Sequence, residues 1–150
     1  MKQTSYIPRL CDRELQLALR SSGAVLIEGA KWCGKTSTAS KASQSVLYMQ
    51  DPDKAASNLA MADAKPSLLL NGETPRLIDE WQMAPVLWDA VRFEVDKRGL
   101  LGQFILTGSA VPADNVTAHR HRKNITLTDA PHEPFRIYGV ERNSIVARIV

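Results

Sequence analysis

Gly29-Ala30-Lys31-Trp32-Cys33-Gly34-Lys35-Thr36 follows the pattern G-x-x-x-x-G-K-[ST] residue for residue, and its reading decides the fold. Glycine at each end permits a tight curl in which successive N–H groups converge on phosphate oxygens, with Lys35 reaching the β- and γ-phosphates. At a glycine content of about 7%, the bare pattern arises by chance in roughly one chain of this length in a few hundred, so its flanks carry the decision. Upstream, Ala24-Val25-Leu26-Ile27 is a short apolar run after Gly23, as a strand buried on both faces reads. Downstream, Lys35 to Ser43 holds neither Gly nor Pro and starts a helix whose positive end faces the bound anion. Strand, loop and helix in this order predict nucleotide binding by Gly29, Ala30, Lys31, Trp32, Cys33, Gly34, Lys35 and Thr36.

Two further segments end at the same place. Arg76-Leu77-Ile78-Asp79-Glu80 is a hydrophobic run closed by two carboxylates, 43 residues beyond Thr36. In a parallel sheet ligands gather beyond the carboxyl ends of the strands, which brings Asp79 to the phosphate loop. There Asp79 and the Thr36 hydroxyl are expected to hold Mg²⁺, and Glu80 to accept a proton from the attacking water. Gln103-Phe104-Ile105-Leu106-Thr107-Gly108-Ser109 gives another buried strand ending in hydroxyls; Thr107 is placed to orient that water or sense the γ-phosphate, with Ser109 second. The expected catalytic set is Glu80, Lys35 and Thr107.

Between these segments the chain alternates helix and strand. Cys11, Leu15, Ala18 and Leu19 share one helical face, and Gly23 closes that helix. Val46-Leu47-Tyr48-Met49 reads as a strand, and Asp51-Pro52 as the cap and first residue of an Ala-rich helix running to Asp63, with Leu59 and Met61 on its packed side. Pro66 to Gly72 fits a helical turn or a short strand equally. Ala84 to Arg98 is a helix with Leu87, Trp88, Val91 and Val95 on one face and Gly99 at its end; Trp81 and Trp88 read as packing residues.

Composition sets the outer bounds. A chain of 150 residues, 44% hydrophobic and 23% charged, is one ordinary globular domain by size. No apolar run approaches the roughly 20 residues that span a bilayer, and Met1 to Arg9 lacks the apolar stretch of a signal peptide, so no membrane partner and a cytoplasmic location are expected. Cys11 and Cys33 make neither a disulfide framework nor a metal spacing, and Cys33 fits as a small residue in a tight turn. Residues 1–118 carry 13 Lys+Arg and 13 Asp+Glu, whereas 119–150 carry six and three, so the net charge of +3 belongs to the tail. His119-Arg120-His121-Arg122-Lys123 is compatible with a solvated charge run or a nucleic-acid contact.

Taken together, the motifs resemble the AAA+ superfamily of P-loop ATPases: Gly29 to Thr36 its Walker A motif, Leu77-Ile78-Asp79-Glu80 its Walker B, and Leu106-Thr107-Gly108-Ser109 its sensor-1 strand. Ile78-Asp79-Glu80-Trp81-Gln82 and Gly102 to Ser109 are similar more narrowly to a prokaryotic group of AAA-type ATPases that carry an additional C-terminal domain. The resemblance implies an α/β fold with a parallel sheet ordered 5-1-4-3-2 along the chain, ATP and Mg²⁺ as ligands, and ATP hydrolysis. It leaves a homo-oligomer open and the protein or nucleic-acid target unidentified. The ATPase core spans 1–114. Residues 115–150 break with the pattern, and codons permitted from Thr117 onward, read one base later, allow Arg-His-Thr-Gly-Thr-Gly-Arg-Ile. A truncated member with an out-of-frame or poorly ordered tail is therefore the expectation, with the fifth strand in doubt, neither Arg120 nor Arg122 assignable as an arginine finger, and the sheet edge exposed. Rival functions are a small-molecule P-loop kinase, although residues 37–75 offer no Arg-rich lid, and a truncated nucleotide-binding interaction module or inactive remnant.

Overall fold

The computed structural model describes residues 8–29, 32–109, 135–140 and 145–148. Four strands form a parallel sheet: β1 (Ala24–Gly29), β2 (Ser45–Tyr48), β3 (Arg76–Asp79) and β4 (Phe104–Ser109). The helices that return the chain between them are α1 (Leu10–Ser21, ahead of β1), α2 (Lys35–Ala42), α3 (Ala55–Ala64) and α4 (Val86–Arg98). Short 3-10 turns occupy Pro66–Leu70 and Trp81–Met83. No helix among the described residues is long and apolar enough to cross a membrane.

Strand alternation sorts the core into two layers. Val25, Ile27, Leu77 and Ile105 project toward α1 and α2, where Cys11, Leu15, Ala18, Leu19 and Ala39 meet them. Ala24, Leu26, Ile78, Phe104 and Leu106 project the other way, against Leu69 and Leu70 of the first 3-10 turn and Leu87, Trp88 and Val91 of α4. Trp81 and Trp88 pack ring on ring, 5.1 Å between centroids and tilted by 38°, as expected of packing residues. The α1 face and the α4 face thus agree with the helical periodicities of the sequence.

The sheet runs β2-β3-β4-β1-β5-β6, where β5 (Phe135–Val140) and β6 (Ile145–Arg148) come from the tail. The order 5-1-4-3-2 therefore holds, but β5 runs antiparallel to β1 and the sheet is mixed. The register supplies the reason: Gly29 pairs with Ser109, the end of β4, and also with Phe135, the start of β5. A strand that starts at the edge where the previous one stopped needs no crossover and must run back. The flank of β1 expected to be bare is paired with β5.

One other expectation is corrected and one open alternative is decided. α3 begins at Ala55, because the Asp51 carboxylate accepts the Asp53 N–H at 3.0 Å and closes a turn, while the Asp51 carbonyl accepts the N–H groups of Lys54 and Ala55. Its inward face carries Asn58 and Ala62, with Leu59 and Met61 each 39% exposed; the Asn58 amide, donating to the Tyr48 carbonyl at 3.3 Å, sets that phase. Pro66 to Gly72 resolves to a 3-10 turn, held by Arg76, whose Nε donates to the Leu69 carbonyl at 2.9 Å and whose Nη1 donates to Ser45 Oγ at 3.0 Å. Burial lowers the pKa of this guanidinium from its ordinary value.

Packing and backbone conformation make separable contributions to stability. Leu87→Ala, at a fully buried site, should cost about 2–5 kcal/mol. Gly99 ends α4 at φ 63° with nothing within 4 Å of an added Cβ, so Gly99→Ala should cost only about 1 kcal/mol through its left-handed backbone. Urea denaturation of the two variants checks the ranking.

Candidate functional site

One row of residues across the sheet fixes the site. Tyr48 of β2 pairs with Asp79 of β3, Asp79 with Thr107 of β4, and Thr107 with Ile27 of β1. Asp79 and Thr107 follow Leu77 and Ile105 by two residues, so they share the face on which α1 and α2 lie. That face brings Thr36, in the first turn of α2, over the Asp79 carboxylate. Asp79 Oδ1 accepts the Thr36 hydroxyl at 2.7 Å and the Thr107 hydroxyl at 2.6 Å. Asp79 and Thr107 are both buried, at 9% and 1% exposure, so the carboxylate draws its hydrogen bonds from protein hydroxyls.

The loop preceding α2 is built around Lys35 and Gly34. Lys35 is buried at 5% exposure; its Nζ donates to the Gly29 carbonyl at 2.9 Å and lies 3.9 Å from Cys33 Sγ. Gly34 has φ 92°, the left-handed region that favours glycine. A Cβ there would also lie 2.1 Å from Nη1 of Arg9, which donates to the Cys33 carbonyl at 3.0 Å. Arg9 therefore braces the loop from outside, and its own N–H is held by Asp12 Oδ2 at 2.9 Å at the start of α1. Trp32 stands at φ 67° and is wholly exposed.

Glu80 leaves β3 at φ 58° and ψ 49°. In a continued strand it would face away from Asp79; the left-handed turn redirects it, and both carboxylates line one cavity. That cavity, about 420 Å³, is bounded by Trp32, Gly34, Lys35, Thr36, Ser37, Gln50, Asp79 and Glu80. For a residue other than glycine this left-handed conformation costs about 1–2 kcal/mol.

Of the residues singled out by sequence, Lys35, Thr36, Asp79 and Glu80 meet at this cavity with Trp32 and Gly34, and Thr107 joins them through Asp79. Gly29 and Cys33 support the loop through the contacts of Lys35 and Arg9. Ala30 and Lys31, the Ser109 side chain and the basic cluster 119–123 lie outside the described residues. Sequence reasoning gave no role to Arg9, Gln50 or Gln82. The first two carry no motif, whereas Gln82 stands two residues beyond a recognised acidic pair. Among the described residues no three His, Cys, Asp or Glu side chains gather into a metal cage. A divalent ion at Thr36 and Asp79 would take its other ligands from phosphate and water, as Mg²⁺ does.

Residues 21–122 match a family described as an AAA domain, a nucleotide-binding family. No curated protein and no solved structure gives a match.

The contrast between the two hydroxyls is measurable. Thr107→Val keeps the volume and removes a buried bond to a carboxylate, so it should cost about 1.5–3 kcal/mol in urea unfolding, and Thr36→Val, at a partly exposed position, less. The cysteines should also separate. Burial and the neighbouring Asp12 push the Cys11 thiol up from its ordinary value, outweighing Thr38 and Arg9, so iodoacetamide at about pH 8 should label the half-buried Cys33 and spare Cys11. Mass spectrometry of the alkylated chain reads this directly.

Proposed function

The chain belongs to the AAA domain family, and from that premise we propose that it is an ATPase that binds ATP with Mg²⁺ at the cavity between the loop Gly29–Thr36 and the ends of β2 and β3. What supports this reading above all is the single carboxylate oxygen of Asp79 that takes both the Thr36 and Thr107 hydroxyls beside the cavity wall. Thr36 and Asp79 would hold the ion, which when bound supplies positive charge to the β- and γ-phosphate oxygens.

The chain's own groups divide the remaining work. N–H groups of the loop and of the first turn of α2 bind phosphate oxygens, with the helix dipole in their favour. Lys35, with its ammonium already drawn to the loop by the Gly29 carbonyl, neutralises charge on the transferred group. Glu80 orients water in line with the bond to the leaving oxygen and accepts its proton. The new bond joins water oxygen to the γ-phosphorus; the bond to the bridging oxygen breaks and its electron pair leaves with ADP. Thr107 holds Asp79 in place from the adjacent strand.

Separate roles predict separate losses. Lys35→Ala should abolish binding of a fluorescent ATP analogue, whereas Glu80→Gln should leave binding within about twofold and lower turnover by roughly 10² or more. Phosphate release without any added acceptor distinguishes hydrolysis from a kinase. Equal loss of binding in both variants would contradict the assignment.

A further inference from the structure

Glu80 is held by a residue that the proposed reaction has not used. Nε2 of Gln82 donates to Glu80 Oε2. A carboxylate only accepts, so the nitrogen end of the amide must face Glu80 and the oxygen end must face away. Oε1 of Gln82 is buried and has no hydrogen-bond partner among the described residues. It lies where β4 passes: a Cβ placed on Gly108 would come within 2.9 Å of Gln82 Oε1 and 3.0 Å of Trp81 Nε1. Gly108 directly follows Thr107, whose hydroxyl is bound to Asp79.

A left-handed glutamate and a buried amide oxygen without a partner are both locally unfavourable, and they occur two residues apart on one short turn. The turn Trp81–Met83 is anchored by Trp81, buried against Trp88. The glycine at 108 leaves the room that this side chain occupies.

We propose that Gln82 is a positioning residue that fixes the Glu80 carboxylate for proton abstraction, seated by the missing side chain at Gly108. The inference rests on the reading of Glu80 as proton acceptor. The bond to Oε2 restrains rotation of the carboxylate and thereby favours one orientation toward the attacking water. Because Gly108 belongs to the strand that carries Thr107, the same strand supports both acidic residues of the site, Asp79 through a hydroxyl and Glu80 through Gln82.

Three variants test this on the full chain with Mg²⁺ and ATP. Gln82→Ala removes the donor, Gln82→Glu puts a second carboxylate beside the first, and Gly108→Ala crowds Gln82 Oε1 and the neighbouring Trp81 Nε1, leaving the Gln82 residue itself intact. In each, kcat should fall roughly tenfold to a hundredfold, while KM and the dissociation constant of fluorescent ATP stay within about twofold. In a Glu80→Gln background, Gln82→Ala should cause no further loss, which a general structural defect would not reproduce. In ¹⁵N-labelled protein the Gln82 side-chain amide resonance should move in Glu80→Ala and in Gly108→Ala, reading the contact without turnover. Unchanged or raised kcat in Gln82→Ala, with Glu80→Gln inactive, overturns the inference; so does an amide resonance indifferent to Glu80. Full activity in Glu80→Gln, or none in the unsubstituted chain, overturns instead the hydrolytic reading on which it rests.

Discussion

A buried carboxylate oxygen that accepts two hydroxyl protons is the constraint on which the rest of the structure depends. An ionised Asp79 without partners would carry a large desolvation penalty in a sheet interior. Thr107 answers it from the adjacent strand only if β3 and β4 keep their register, and a slip of one residue would turn its hydroxyl to the opposite face. Thr36 answers it from α2 only if the preceding loop delivers that helix at the right height. The same bonds therefore tie together the sheet, the loop before α2 and the first turn of that helix, at the carboxyl edge of the parallel strands.

Much of this was legible in the chain because local chemistry and tertiary need coincide. The apolar stretch Val25 to Ile27 is buried to 5% exposure or less, and such a run predicts a central parallel strand. Glycine and threonine in the loop are demanded by phosphate geometry before any packing is considered. Asp79 and Thr107 could be aligned from sequence because both close apolar strands, and strand ends meet at one edge in this class of fold. What escaped depends on contacts between distant segments. The inward face of α3 is chosen by the bond from Asn58 to the Tyr48 carbonyl, which hydrophobicity cannot report. Arg9 reaches the loop across 24 residues of sequence, and nothing in its own neighbourhood announces the partner.

The direction of β5 shows a different limit. A family pattern gives the neighbour order of strands, but the sense of the last one follows from where its predecessor stops, and that is a matter of register. The antiparallel return satisfies the backbone groups of β1 that a shortened sheet would leave open. Similarly, Gln82 was visible as part of a short acidic motif, yet its seat is set by an absent Cβ at Gly108. Such spaces have no signature in a single chain.

Trp32 adds a practical consequence. Of the three tryptophans, two are packed together in the interior and one stands wholly exposed on the rim of the 420 Å³ cavity. The protein thus carries its own optical probe: indole emission reachable by a dissolved quencher comes from the cavity mouth, against a shielded background from the other pair. Ligand entry can then be followed by light, without a label attached to either molecule.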